Sequence, residues 1–125
     1  MGTLPPAGLL TLVVPRRKGV TSVIARIWQG WAPTATAGDY QRHYESEVAG
    51  HLRHVPGFRG ARLLRRVDGD GVVFTSITFF AGMEDVRAFA GDDCEEAVVE
   101  DAARRVLTRW DDRVTHHEVA VDLGP

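Results

Sequence analysis

The chain has 125 residues, of which 44% are hydrophobic and 26% charged, and its formal net charge at pH 7 is −2. This length suits one domain with a single core. The small net charge, with both signs interspersed, does not indicate a nucleic-acid or anionic-membrane partner. The only cysteine, Cys94, cannot form an internal disulfide, which is typical of a cytoplasmic protein.

Residues 1–20 are predicted to be an N-terminal tail or an extra edge strand, and residues 21–125 to form the domain. Within the tail, Leu9–Val14 is apolar, but its basic cluster follows the apolar run. A signal peptide has the opposite order, and the run is too short to span a bilayer. No chemistry is assigned to this segment.

The first predicted strand is Ser22–Trp31, in which alternation places Arg26 and Trp28 on one face and Trp31 on the other. A turn at Pro33 then leads into a helix.

The first predicted helix runs from about Gly38 to Val55. Its apolar stripe is Tyr40, Tyr44, Val48, Leu52 and Val55. His51 borders this stripe, whereas His43 and His54 are predicted to point towards solvent.

The middle of the chain is predicted to form a strand at Gly60–Val67, a hairpin turn at Asp68–Gly71 and a strand at Val72–Phe80. The last of these contains no charged residue, which favours a strand in the interior of a sheet. A short helix follows and ends at Gly91. Its predicted apolar stripe is Met83, Val86, Phe89 and Ala90.

The last part of the chain is predicted to form a second helical piece over Cys94–Trp110 and a final strand over Val114–Val121. The residues predicted to line the inner side of this helix are Ala97, Val98, Ala102, Val106, Leu107 and Trp110.

The resulting order is typical of a ferredoxin-like βαββαβ fold, an α+β class with a four-stranded antiparallel sheet and helices on one face. The other face carries large residues. An apolar open face indicates a partner, and a two-fold homodimer is the expected one.

Four segments resemble the antibiotic biosynthesis monooxygenase-like family across about residues 22–121. They read I-A-R-I-W-Q-G, P-G-F-R-G-A-R-L-L-R-R, V-R-A-F-A-G-D-D and V-T-H-H-E-V. The resemblance implies a dimeric α+β barrel, and cofactor-independent oxygenation of an electron-rich aromatic, polyketide-like molecule is one activity it implies. The last strand of relatives often reads H-Y-E-V, and His117 replaces that tyrosine here.

Cofactor binding is not expected from the sequence. The chain has no dinucleotide-binding loop. If the protein is an oxygenase, molecular oxygen is the co-substrate and the substrate itself supplies the electrons. Heme-degrading relatives carry a histidine ligand near the position of Ala97–Val99, where this chain has none, so heme is not expected there. A metal site is not expected, because the adjacent His116 and His117 point apart on a strand.

Such an oxygenase needs a base, a cation or hydrogen-bond donor for the substrate anion, and aromatic walls. The candidate catalytic residues are His51, His116, His117 and Arg26. The candidate substrate-binding residues are Trp28, Trp31, Tyr44, Phe80, Phe89 and Trp110.

Each candidate has a structural alternative. Arg26 could instead pair with Glu118 across the sheet, His117 could be a hydrogen-bonded core residue, and the aromatic residues could be core. Two other functions remain open, namely a non-oxidative cyclase or isomerase on the same scaffold and a catalytically silent ligand-binding dimer.

Overall fold

The computed structural model of the chain describes residues 22–124. The predicted tail or edge strand of residues 1–20 therefore lies outside the described residues. The first strand, β1, is Ile24–Pro33, two residues later at each end than predicted. It ends at Pro33, which has an extended backbone and directly precedes the first helix.

The first helix consists of three consecutive parts. They are α1 (Thr34–His43), a π-helical turn (Tyr44–Val48) and α2 (Ala49–Leu52). The helix begins earlier than predicted because the Thr34 hydroxyl donates a hydrogen bond to the Asp70 carbonyl and ties this end to the hairpin.

The π-helical turn explains which residues of this helix face inwards. The apolar stripe repeats every four residues, while a regular α-helix has about 3.6 residues per turn, so the stripe would drift around the helix. A π turn is wider and takes up this drift. Tyr40, Tyr44 and Leu52 are accordingly all buried. His51, which a regular helix would bring to within about 20° of Tyr40, is exposed.

The hairpin is formed by β2 (Phe58–Asp68) and β3 (Gly71–Phe80), as predicted within a few residues. Gly69, the first of its two turn residues, has φ 59°, a value that glycine adopts without strain. Strand β3 pairs with both β1 and β2, so its predicted interior position is confirmed.

The second half of the chain contains α3 (Met83–Ala90) and α4 (Asp101–Val106), followed by β4 (Arg109–Trp110) and β5 (Thr115–Glu118). Helix α3 is confirmed, and it ends at Gly91, whose φ is 92°.

The predicted helical piece over Cys94–Trp110 is wrong for most of its length, because only α4 is helical. Within this piece, Glu96 and Glu100 are four residues apart, and like charges at that spacing destabilise a helix. Two of the predicted inward residues, Val98 and Ala102, are exposed, and Ala103 is buried instead.

The predicted final strand, Val114–Val121, is present as β5, and β4 is a further short strand at the end of the piece that was predicted to be helical. Both β4 and β5 pair antiparallel with β1, and four residues separate them. The sheet has five strands in the order β2-β3-β1-β4, with β5 also on β1. The predicted ferredoxin-like α+β fold is confirmed, with its fourth strand interrupted.

The helix-facing side of the sheet carries two hydrophobic clusters separated by a polar band. One cluster is centred on Phe74 and Tyr40, and the other on Phe80 and Val86. Between Phe74 and Phe80, the same face of β3 presents Ser76 and Thr78. This band lies where the sheet, α1 and the segment 91–100 meet.

The opposite face, which we call the open face, carries no helix among residues 22–124. Strand alternation places Ile27, Trp31, Ile77 and Phe79 on it, and each of these side chains is half-buried.

No helix in the part of the chain that the structure describes is long and apolar enough to cross a membrane.

Candidate functional site

A cavity of about 80 Å³ lies over the polar band. Arg26, Trp28, Ser76 and Thr78 line its floor on the sheet, and α1 and the π turn supply Tyr40, His43 and Tyr44. Phe89 and the segment before α4 complete it. Two residues of that segment, Val98 and Glu100, are exposed and mark the side that opens to solvent.

Arg26 is buried, with 6% of its surface exposed, and its guanidinium lines the cavity. Nη1 donates to the Cys94 carbonyl at 2.5 Å and Nη2 to the Glu96 carbonyl at 3.1 Å. Burial lowers the pKa of Arg26, and Cys94 offsets part of this effect. An arginine nevertheless stays protonated in proteins. Neither carbonyl carries a net charge, so these contacts position the cation without neutralising it.

His116 contacts the Arg26 guanidinium but does not line the cavity. Its Nε2 lies 3.0 Å from Nη1 of Arg26. Because arginine is only a donor, this nitrogen must accept, so His116 is neutral with its proton on Nδ1. Burial, and next the charge of Arg26, lower the pKa of His116, while Glu95 acts in the opposite direction. The strand partner of Arg26 is His116, and Glu118 lies opposite Ile24.

His43 also lines the cavity, although the sequence predicted that it points to solvent. Only 10% of its side chain is exposed, and Nε2 lies 3.3 Å from Oε1 of Glu100. The approach direction does not make a hydrogen bond, so this buried nitrogen has no hydrogen-bond partner among residues 22–124. The prediction was wrong because the segment 91–100 is not helical and covers this flank of α1.

Two tyrosines complete the polar lining. Burial is the main cause that raises the pKa of both Tyr40 and Tyr44, so each keeps its proton. The Tyr44 hydroxyl is buried and makes no hydrogen bond within the described residues. The Ser76 hydroxyl is close enough to offset part of the rise in the pKa of Tyr44 but does not reach good hydrogen-bond geometry. Tyr44 therefore offers the cavity a free hydroxyl.

Of the predicted site residues, the structure brings Arg26, Trp28, Tyr44 and Phe89 into the lining of the cavity. Trp28 is fixed by a hydrogen bond from its Nε1 to the Asp111 carbonyl, at 2.9 Å. His116 lies directly behind Arg26.

Two predicted aromatic residues lie under the site rather than in its lining. Phe80 is fully buried, and its ring centroid is 5.6 Å from that of Phe89. Trp110 packs against the cluster around Phe74, and the Arg104 guanidinium lies 5.7 Å from its ring centroid. Both support the walls from behind.

Three predicted site residues lie away from the cavity. His51 is exposed on α2, with its ring centroid 6.0 Å from that of Phe89. His117 is exposed and contacts the Thr115 hydroxyl at 2.9 Å. Trp31 lies on the open face, where the Arg109 guanidinium stacks 3.7 Å from its ring centroid.

The sequence contains one further signal for the cavity. Ser76 and Thr78 are the polar residues that the same face of β3 carries between Phe74 and Phe80, and Thr78 pairs with Arg26. Two polar side chains next to the buried Arg26 interrupt an otherwise apolar face and indicate a polar cavity there. No comparable signal pointed to His43, because its burial depends on a distant segment.

Solved structures with this fold include two kinds of protein. A heme-degrading protein of Mycobacterium tuberculosis, in a heme-free form, is 20% identical over 84% of this chain and 99% of its own, with a TM-score of 0.60. A monooxygenase of Streptomyces coelicolor in complex with nanaomycin D is 17% identical over 84% of this chain and 93% of its own, with a TM-score of 0.58.

A third similar structure is SnoaB, a cofactor-independent oxygenase of Streptomyces nogalater. It is 16% identical over 83% of this chain and 97% of its own, with a TM-score of 0.54. No protein-family model and no curated protein matches the sequence. The chain has the fold of the antibiotic biosynthesis monooxygenase-like proteins, as the four sequence segments implied.

The residues present do not form a metal site of the usual kind. Within residues 22–124, no group of three His, Cys, Asp or Glu side chains is placed to hold a metal ion. The chemistry that the cavity offers is therefore a fixed cation, a buried imidazole beside a carboxylate, a free phenol hydroxyl and aromatic walls.

Proposed function

We propose that this protein is a cofactor-independent monooxygenase that oxidises an electron-rich hydroxyaromatic, polyketide-like small molecule in secondary metabolism. The observation that supports this best is Arg26, a buried cation that lines an aromatic cavity and is held by groups without net charge. A buried charge of this kind favours a ligand that brings the opposite charge. The ionised form of a phenol or anthrone carries that charge on a flat, apolar ring.

The proposed reaction starts from this anion, which Arg26 stabilises. The anion passes one electron to O₂, and the resulting substrate radical and superoxide combine to form a carbon–oxygen bond. The peroxide takes up a proton, and loss of water from it leaves a carbonyl group. One oxygen atom enters the product and the other leaves as water, so the substrate supplies all four electrons and no reductant is needed.

The size of the cavity limits how a substrate binds. Its volume of about 80 Å³ is well below the roughly 300 Å³ that is the lower end for drug-sized ligand pockets. We infer that the hydroxylated ring enters the cavity beside Arg26, and that the rest of a larger substrate extends past Val98 and Glu100 on the open side.

Heme degradation is the activity of one structurally similar protein, and we infer that this chain does not share it. The segment 91–100 contains no histidine. Burial raises the pKa of both cavity tyrosines, which disfavours the phenolate that binds iron. A heme titration is expected to give no saturable shift of the heme absorption band.

We propose that the protein is a homodimer that associates through the open face. That face presents the half-buried Ile27, Ile77 and Phe79, and Leu64 on β2 is 49% exposed beside them. An apolar sheet face of this kind is suited to a second copy of the same face across a two-fold axis.

The experiment that tests the function measures O₂ uptake with dithranol, a hydroxylated anthrone, and no added cofactor. Uptake above autoxidation is expected, with one O₂ consumed per quinone formed. Arg26→Met should lower kcat by about 10²–10³-fold, the usual effect of removing one group that stabilises an anion. Arg53→Met removes the same charge from an exposed position directly after α2 and serves as the control.

Two results would redirect the proposal. Conversion of the substrate without O₂ uptake would indicate a cyclase or isomerase on the same scaffold. Binding of dithranol with no conversion at all would indicate a ligand-binding dimer.

A further inference from the structure

We propose that His43, positioned by Glu100, is the base that removes the phenolic proton of the substrate. The inference rests on the proposed function, because it assigns one step of that reaction. It is carried by two features of the cavity, namely the burial of a histidine nitrogen without a hydrogen-bond partner and the carboxylate beside it.

The first feature is the state of the His43 ring. Its side chain is nine-tenths buried, it lines the cavity, and Nε2 has no hydrogen-bond partner among the described residues. A buried polar atom without a partner is costly and rare in folded proteins. A substrate hydroxyl that enters the cavity supplies a hydrogen bond that this site lacks.

The second feature is the difference in exposure between His43 and Glu100. Glu100 lies 3.3 Å from Nε2, and 58% of its side chain is exposed, so the carboxylate lies at the mouth of the cavity while the imidazole lies inside. A carboxylate at this distance stabilises, through its charge, the imidazolium that forms on proton transfer. Glu100 is therefore a positioning residue.

The other charged and titratable groups in the cavity lining agree with this division of roles. They are Arg26 on β1, Tyr40 on α1 and Tyr44 on the π turn. Both tyrosines keep their protons because burial raises their pKa, and Arg26 has no lone pair to accept one. His43 is therefore the residue inside the cavity whose ring nitrogen is placed to accept the proton.

The remaining described histidines are less suited to the step. His116 already uses its acceptor nitrogen for Arg26. His51, His54 and His117 are exposed and do not line the cavity.

The proton is conserved through the proposed reaction. The substrate O–H bond breaks, its electron pair stays on the oxygen beside Arg26, and the proton moves to His43. The imidazolium can return this proton to the peroxide that forms later, and neutral His43 then takes the proton from the carbon that becomes the carbonyl. Hydroxide leaves with that proton as water, and the base is regenerated.

The first test uses para-nitrophenol, a single-ring phenol whose ionised form absorbs at a longer wavelength and which is not oxygenated. Its absorbance in the presence of excess protein is titrated with pH for the wild type, His43→Gln and the control His54→Gln. The wild type and the control are expected to ionise the bound probe at a lower pH than free probe. In His43→Gln, the bound probe should ionise at a higher pH than in the wild type, because no imidazolium forms beside it.

The second test uses dithranol turnover. His43→Gln should lower kcat by about 10²-fold or more, as expected for loss of a general base, and should remove the loss of kcat/KM on acidification. Glu100→Gln keeps the size of the side chain and should move that loss to lower pH, because the imidazolium is less stabilised. A merely structural role of His43 or Glu100 would change thermal stability but would not change the pH profile in this way.

The outcomes separate the inference from the function on which it rests. If dithranol is oxygenated and His43→Gln leaves the probe titration and the pH profile unchanged, the inference is overturned and the oxygenase stands. If the probe ionises through His43 but no O₂ is consumed, the base stands and the oxygenase is overturned. If neither compound binds to the wild type, both are overturned.

Discussion

The two faces of the sheet differ in how deeply their large side chains are buried. On the helix-facing side, Phe74 and Phe80 are fully buried, and the polar band between them holds a cation. On the open face, Ile77 and Phe79 are only half-buried, and residues 22–124 place no helix over them. Adjacent residues of one strand, β3, thus belong to two different environments. The helix-facing side thus holds the buried core and the cavity, and the open face is the surface of the proposed dimer.

The largest expected effect is on the helix-facing side. Phe74→Ala should lower the free energy of unfolding by about 3–5 kcal/mol, because the buried ring leaves a cavity behind. Its ring centroid is 4.8 Å from that of Tyr40, which loses its partner as well. Urea unfolding measures the change. Phe79→Ala, the same substitution on the open face, should cost clearly less in the monomer, and an equal cost would show that the two faces are equivalent.

A charge on the open face should break the proposed dimer. Ile77 pairs with Ile27 on one side and Arg62 on the other, so it lies near the middle of that face. Ile77→Glu is expected to weaken self-association at least about tenfold, because a carboxylate would be buried between subunits. Sedimentation velocity over a range of concentrations measures this. Val67→Glu adds the same charge at a 75% exposed position and is the control. A wild type that sediments as a monomer throughout would contradict the dimer.

The smallest expected effect concerns the residue behind the cation. Burial and the charge of Arg26 lower the pKa of His116, so the unfolded chain takes up this proton at a higher pH than the folded protein does. Between those two pH values, the unfolded state binds more protons, and the free energy of unfolding falls as the pH falls. The loss is complete once the pH is below the folded value.

His116→Gln keeps an acceptor for Arg26 and removes the titration. From neutral pH to about pH 5, it should lose less stability than the wild type does, because histidine normally titrates near pH 6.5. Urea unfolding at several pH values measures this difference. His54→Gln, at an exposed position, should behave like the wild type, and equal acid sensitivity of all three proteins would contradict the prediction.

The fold was largely predictable because its signals are local. An uncharged β-branched and aromatic run predicted β3, the Asp-Gly-Asp-Gly sequence predicted the hairpin, and Met83, Val86 and Phe89 predicted α3. The helical piece after Cys94 was not predictable in the same way, because its apolar residues resemble a helix stripe while its repeated acidic residues oppose one.

The candidate site was predictable only in part, because it depends on contacts between distant segments. Arg26 stood out as a charge in an apolar strand, and Trp28 and Phe89 followed from their faces. His43 did not, since the residue beside its ring, Glu100, is far along the chain and reaches it only through a segment without regular structure. His51 was proposed because it borders the apolar stripe of the predicted helix, and the π turn leaves it exposed.

The π turn at Tyr44–Val48 also has a consequence for aligning this chain with other sequences. It accommodates about one residue more than a regular helix of the same rise would. An ungapped alignment with a protein whose helix is regular can match the inward positions before the turn or those after it, but not both. A one-residue gap between Tyr44 and Val48 restores the match on both sides and keeps Leu52 at a core position. Without that gap, His51 would be aligned with a residue that faces the core.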